Sequence, residues 1–94
     1  MAPFRYQQNL AGAKDRLKSI VSQLPRTKLV EETEGYLHFE FTSFLLRFVD
    51  DVEFVFDEGA KLVQFRSASR TGYSDLGVNR RRMEEIRSLV EGKL

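Results

Sequence analysis

Leu37, Phe39 and Phe41 alternate with His38, Glu40 and Thr42. The same two-residue period returns at Val52, Phe54 and Phe56, against Asp51, Glu53 and Val55. Strict alternation places one set of side chains on each face of a strand, so these segments demand a sheet with one dry face and one wet face. Further candidate strands cover residues 27–32 and 61–68. Turns at Glu34–Gly35 and Glu58–Gly59 make antiparallel hairpins of the neighbours.

Reading Glu58–Gly59 as a two-residue loop sets a register. Phe54 then faces Val63 and Val52 faces Phe65, while Asp51 lies opposite Arg66 and Glu53 opposite Gln64. Opposed unlike charges on the wet face favour that pairing. The first hairpin admits either a two- or a three-residue loop.

The strands are flanked by helical patterns. Leu10, Ala13, Leu17, Ile20, Val21 and Leu24 recur at helical spacing, with Asn9 as N-cap and Pro25 as the stop. A second helix is expected over residues 80–91. There Asn79 would be the N-cap, Val78 and Met83 a hydrophobic staple, and Gly92 the C-terminal cap. Residues 1–8 read as an irregular lead-in. The expected fold is α+β: a two-layer sandwich in the order helix, four-stranded antiparallel meander, helix, with both helices on one sheet face. Ninety-four residues with 41% hydrophobic content and eight phenylalanines make one domain, residues 1–94, able to build a core. A monomer or a weak homodimer is expected.

Composition excludes several function classes. There is no cysteine, hence no disulfide, iron–sulfur cluster or thiolate zinc site. The formal charge of +1 provides no global field for nucleic acid. The wet face would carry His38, Glu40, Asp51 and Glu53, which repel phosphates. His38 is the only histidine and is expected at the surface, so neither a metal site nor a hydrolytic triad is supported. No phosphate-loop or dinucleotide fingerprint occurs, and no cofactor is expected. No segment approaches membrane-spanning length. The opening MAPFRYQQ has no signal-type apolar stretch, so as written the chain reads as cytoplasmic.

Charge is segregated along the chain. Residues 31–58 hold nine acids against the single base Arg47, and residues 59–82 hold six bases against the single acid Asp75. The two halves should face each other. Within the basic half, RSASRTGYSDLGVNRRR (residues 66–82) packs five arginines, four aliphatic hydroxyls, one carboxylate and one amide into seventeen residues. Such groups need partners, in the protein or on a ligand. Arg80, Arg81 and Arg82 crowd a helix N-terminus, the unfavourable end for cations. Compensation would come from Asp50, Asp51 or Asp75, or from a bound anion. Asp50 shares strand parity with the core and needs a cation or several donors, with Arg70, Arg47, Ser67 and Ser69 as candidates. Asp75 could cap a turn, Gly72 and Gly77 could supply positive φ, and Tyr73 could stack on a ligand or on the sheet edge. The apolar run Phe44–Leu45–Leu46 should fold under the first helix, with a partner or membrane contact as the alternative.

Two blocks, FEFTSFLLRFVDDVEFVF (residues 39–56) and RSASRTGYSDLGVNRRR, resemble the signature segments of the bacterial and plastid domain of unknown function family 1499. The resemblance spans about residues 10–90. It maps onto Phe41, Thr42, Ser43, Arg47, Phe48, Asp50 and Asp51, then onto Arg66, Ser67, Ser69, Arg70, Gly72, Ser74, Asp75, Gly77, Asn79 and Arg80. It implies a fold and a polar site, but no activity.

The leading expectation is a non-enzymatic binding module. It would hold a small anion or an acidic segment of a protein partner, using Arg47, Asp50, Asp51, Arg66, Ser67, Ser69, Arg70, Asp75, Asn79 and Arg80. One alternative is a hydrolase or transferase with Asp50 or Asp51 as base, which requires a pocket and a raised carboxyl pKa. Another is a purely structural or assembly role.

Overall fold

The computed structural model describes residues 1–70 and 77–94. The expectations for Gly72, Tyr73, Ser74 and Asp75 lie outside the described residues. The fold is α+β, with two helices and one five-stranded antiparallel sheet. The elements are β1 (Phe4–Arg5), α1 (Leu10–Ser22), β2 (Thr27–Thr33), β3 (Tyr36–Thr42), β4 (Val49–Asp57), β5 (Leu62–Ser69) and α2 (Val78–Val90). The sheet order is β1-β5-β4-β3-β2.

Four consecutive strands thus form a meander, and a fifth strand extends it. β1 comes from the segment read as an irregular lead-in. Phe4 pairs with Val63 and Arg5 with Leu62. Two residues are too few to show a period, so the strand is invisible to pattern reading. It nonetheless brings Phe4 and the adjoining Tyr6 into the core. At the other terminus Leu94 is buried, and its carbonyl accepts from Gln7 N and Gln8 N at 3.2 Å each.

α1 starts where its cap dictates. Asn9 is extended, with φ −69° and ψ 168°, and its Oδ1 accepts from Gly12 N at 2.8 Å. The helix buries Ala13, Leu17 and Val21 and ends before Pro25. β2 is an outer strand with no fully buried residue; only Thr27 and Leu29 are partly covered. A register shift between Leu29 and Glu31 interrupts its ladder, and Lys14 and Lys18 of α1 reach over to Glu32. Bulges and charges of this kind discourage pairing with a further strand. The β2–β3 turn is the two-residue Glu34–Gly35 loop, since Thr33 faces Tyr36.

The β4–β5 register differs from the expected one by two residues. Phe54 faces Phe65, Phe56 faces Val63, Glu53 faces Arg66 and Val52 faces Ser67. The loop runs over residues 58–61, because Asp57 pairs with Leu62. Asp57 Oδ1 accepts from Ala60 N at 3.1 Å, and Lys61, rather than Gly59, takes the left-handed conformation at φ 56°. A side-chain acceptor at the turn start stabilises a longer loop than the glycine alone suggests. A slip of two preserves parity, so every strand residue keeps its expected face.

α2 also begins earlier than expected. Gly77, at φ 85°, occupies the N-cap position and Asn79 lies inside the first turn. Glycine is suited to that left-handed entry. Val78 is exposed and does not serve as a staple. Gly92 is left-handed after the helix end, as a C-terminal glycine should be. The run Phe44–Leu45–Leu46 does not fold under α1; all three side chains are exposed.

Buried residues of both helices join those of the strands in one apolar cluster. Phe54 lies at its centre, 6.0 Å from the Phe39 ring in an edge-on contact and 6.4 Å from Phe4. Phe54→Ala is expected to lower unfolding free energy by about 3–5 kcal/mol, because the cavity is walled by strands that cannot collapse into it. Urea unfolding followed by circular dichroism measures this; a loss of under about 1 kcal/mol would contradict the packing.

Candidate functional site

Asp50 and Asp51 are neighbours in β4, so their side chains leave the sheet on opposite faces. Each finds an arginine, and two separate clusters result.

On the wet face, Glu40 of β3 lies directly opposite Asp51 of β4. Two opposed carboxylates destabilise a sheet unless a cation joins them. Arg70 is that cation. Its Nη2 donates to Asp51 Oδ1 at 2.6 Å and to Glu40 Oε2 at 2.8 Å, and its Nε donates to Asp51 Oδ2 at 3.1 Å. His38 Nε2 lies 2.8 Å from Asp51 Oδ1. One register step along, Tyr36 Oη donates to Glu53 Oε2 at 2.6 Å, and Arg66 Nη1 lies 3.2 Å from Glu53 Oε1. Arg70 holds Asp51 below its ordinary carboxyl pKa, with a lesser contribution from His38, against the opposing effect of burial. Tyr36, and secondarily Arg66, lower Glu53 in the same way. Burial and the Glu53 hydrogen bond push the Tyr36 phenol up to about 12.

On the core side, Asp50 is buried and its Oδ2 lies 2.9 Å from Arg82 Nη2. The other terminal nitrogen of Arg82 donates to Asn79 Oδ1 at 2.6 Å and to Ser67 Oγ at 3.2 Å. Ser67 Oγ donates to Asn79 Oδ1 through a short hydrogen bond. The guanidinium also lies 4.8 Å from the Phe41 ring centroid. The amide expected to cap α2 is therefore turned inward to the sheet. The partner of Asp50 is Arg82, rather than Arg70 or Arg47.

The expected site residues are thus distributed. Asp51, Arg70 and Arg66 belong to the wet-face network. Asp50, Ser67 and Asn79 belong to the core-side cluster, and Ser69 lies opposite Asp50 in the ladder. Arg47 sits in the β3–β4 loop with φ 59°. Arg80 is exposed. Arg66, Ser67, Asn79 and Arg80 also line one open cleft between β5 and α2, of about 470 Å³, closed by Met1, Phe65 and Met83. Asp75 lies outside the described residues.

Sequence reasoning omitted Arg82, Glu40, Glu53, His38 and Tyr36 from the site. Parity already places His38, Glu40, Asp51 and Glu53 together on the wet face, and the same parity on β3 adds Tyr36 to them. Arg82 was grouped with Arg80 and Arg81 as a cation that Asp50, Asp51 or Asp75 could compensate, but which of the three arginines reaches Asp50 depends on where α2 is docked. Among the described residues, no group of His, Cys, Asp or Glu is arranged to hold a metal ion, and no helix is long and apolar enough to cross a membrane.

Because Asp51 releases its proton more readily when folded, it stabilises the fold fully above its ordinary pKa of 3.8. That contribution disappears as pH falls through the lower folded value. Asp51→Asn should therefore flatten the acid-side fall of stability, measured by urea unfolding at about pH 6 and about pH 3. An unchanged pH slope would contradict the assignment.

The side chains of Asp50 and Arg82 are only 12% and 15% exposed. Arg82→Met should cost about 3 kcal/mol by stranding a buried carboxylate, and adding Asp50→Asn should restore part of it. Additive losses in the double-mutant cycle would contradict the pairing.

Searches of curated proteins and of solved structures gave no match. The family described as Protein of unknown function (DUF1499) matches residues 1–90 of the 94-residue chain, so nearly the whole domain is covered, including both arginine–carboxylate clusters. The chain belongs to this DUF1499 family.

Proposed function

We propose that this domain is a non-enzymatic binding module, a two-layer sandwich with both helices on the sheet face opposite the wet network. Its cleft between β5 and α2 would take a small anion or an acidic segment of a partner protein. The observation that carries this reading is the lining of that cleft: two guanidinium-bearing residues, Arg66 and Arg80, stand with Ser67 and Asn79 around about 470 Å³ of open space. Arg66 is bound only loosely, at 3.2 Å from Glu53 with its side chain 69% exposed. Arg80 makes no ion pair among the described residues and projects from the first turn of α2. A cation at a helix N-terminus is unfavourable on its own, and an anion there offsets it.

The other arginines of the motif have a different part in this reading. Arg70 and Arg82 are engaged by carboxylates and hold β3, β4, β5 and α2 in place, so the cleft has rigid walls. That engagement also favours a second reading, in which the whole motif is a structural brace. A general-base role for Asp51 draws no support from its acid–base state, since Arg70 makes it a weaker base.

Melting temperature followed during titration with inorganic phosphate, citrate and a nucleoside triphosphate tests the binding reading. An anion at about ten times its Kd adds about 1.4 kcal/mol, which raises the Tm of a domain this size by several degrees. Arg80→Ala should abolish that rise while leaving the ligand-free Tm nearly unchanged. A flat response to all three anions, with Arg70→Ala alone strongly lowering Tm, would favour the brace instead.

A further inference from the structure

Residues 43–48 form the tip between β3 and β4 and contribute nothing to the core cluster. Phe44, Leu45 and Leu46 are 74%, 81% and 65% exposed, and Phe48 is 41% exposed. Three consecutive large apolar side chains in water are unfavourable for a domain of this size. The tip is nevertheless built. Ser43 N donates to Phe48 O at 2.8 Å, Phe48 N donates to Ser43 Oγ at 2.9 Å, and Arg47 is held left-handed at φ 59°. A left-handed arginine costs backbone free energy, so this loop conformation is held against strain.

Cations surround the base of this tip. The Arg26 guanidinium lies 5.5 Å from the Phe44 ring centroid, and its Nε donates to Thr42 O at 3.1 Å. Arg47 belongs to the tip itself. Arg81, Arg26 and Phe44 line a common hollow of about 460 Å³, in which Glu85 is the one acid among the described residues. The nearby acids Asp50, Asp51 and Glu40 are engaged by Arg82 and Arg70. The remaining acid-rich turns, with Glu34, Asp57 and Glu58, lie at the opposite ends of the same strands. Among the described residues, charge is therefore polarised along the sheet, basic toward the apolar tip and acidic away from it.

We infer that the β3–β4 tip docks the domain on an anionic membrane surface. Phe44, Leu45 and Leu46 enter the acyl–headgroup boundary, and Arg26, Arg47 and Arg81 stay at the depth of the lipid phosphates. A convex apolar tip with guanidiniums at its base follows the order of layers in a bilayer, hydrocarbon beyond phosphate. An apolar groove of a protein partner would need carboxylates placed to meet those guanidiniums, whereas a lipid surface supplies phosphates on every side of the tip. Insertion is shallow, because irregular backbone is confined to the wet interface. The acidic turns point away from the lipid, which orients the domain. This inference uses neither Arg66 nor Arg80 and is independent of the cleft.

The chain has no tryptophan, so Leu45→Trp introduces a single reporter at the tip. Vesicles of phosphatidylcholine alone, and of phosphatidylcholine with an equal amount of phosphatidylglycerol, are the probes. The expected result is a blue shift of emission and co-sedimentation with the anionic vesicles only, weakening as salt rises. Leu45→Ser with Leu46→Ser should abolish binding without moving Tm, since neither side chain is packed. Arg26→Gln with Arg47→Gln should weaken it by roughly fivefold per charge. Absence of binding, equal binding to neutral and anionic vesicles, or a Leu45-dependent dimer in sedimentation velocity without vesicle binding would each overturn the inference.

Discussion

The guanidinium of Arg82 holds three strands and a helix through one planar group. It meets the Asp50 carboxylate on β4, the Ser67 hydroxyl on β5, the Asn79 amide on its own helix and the Phe41 ring on β3. Burying an ion pair carries a desolvation cost that Coulomb attraction alone does not always repay. Here the second terminal nitrogen also finds acceptors, Asn79 Oδ1 and Ser67 Oγ, through a planar fork that a lysine ammonium lacks. The location of the α2 N-terminus follows from this contact. So does the open cleft beside β5, because Asn79 is drawn inward while Arg80, one residue on, is left outside.

The wet face works on a weaker scale. Arg70 is half exposed, so its contacts with Asp51 and Glu40 are softened by solvent. Its main effect is to cancel the repulsion of two carboxylates that the β3–β4 register sets side by side. The sheet separates this network from the core-side cluster. A motif that is continuous in the chain, RSASR, thereby serves two faces: Arg66 and Arg70 turn outward and Ser67 turns inward. Chemically similar residues end in different surroundings, one set solvated and one nearly dry.

Much of this architecture was legible residue by residue. The α1 boundaries followed from Asn9 and Pro25, local signals that act within one turn. The inward aspect of Asp50 and the outward aspect of Asp51 followed from parity, which even the two-residue slip of the β4–β5 hairpin left intact. The slip arose because Asp57 caps a longer turn than Glu58–Gly59 suggested. β1 was illegible because a two-residue strand is defined by its partner and has no period of its own. The same limit applied to Asn79, whose side chain could cap a helix or bridge to a strand. The choice was made by Ser67 and Arg82, which approach it only in the folded state.

Sequence alone determined what is periodic or local: the α+β class, the faces of β3, β4 and β5, the cap of α1, and the chemical kinds of group that required partners. Tertiary structure decided which partner each group received. Arg82 rather than Arg70 neutralises Asp50, and Phe44, Leu45 and Leu46 remain in solvent instead of beneath α1. The physical reason is range. Strand parity and helix capping are set within a few bonds of the residue concerned, whereas an ion pair or a covered apolar surface depends on where distant elements dock.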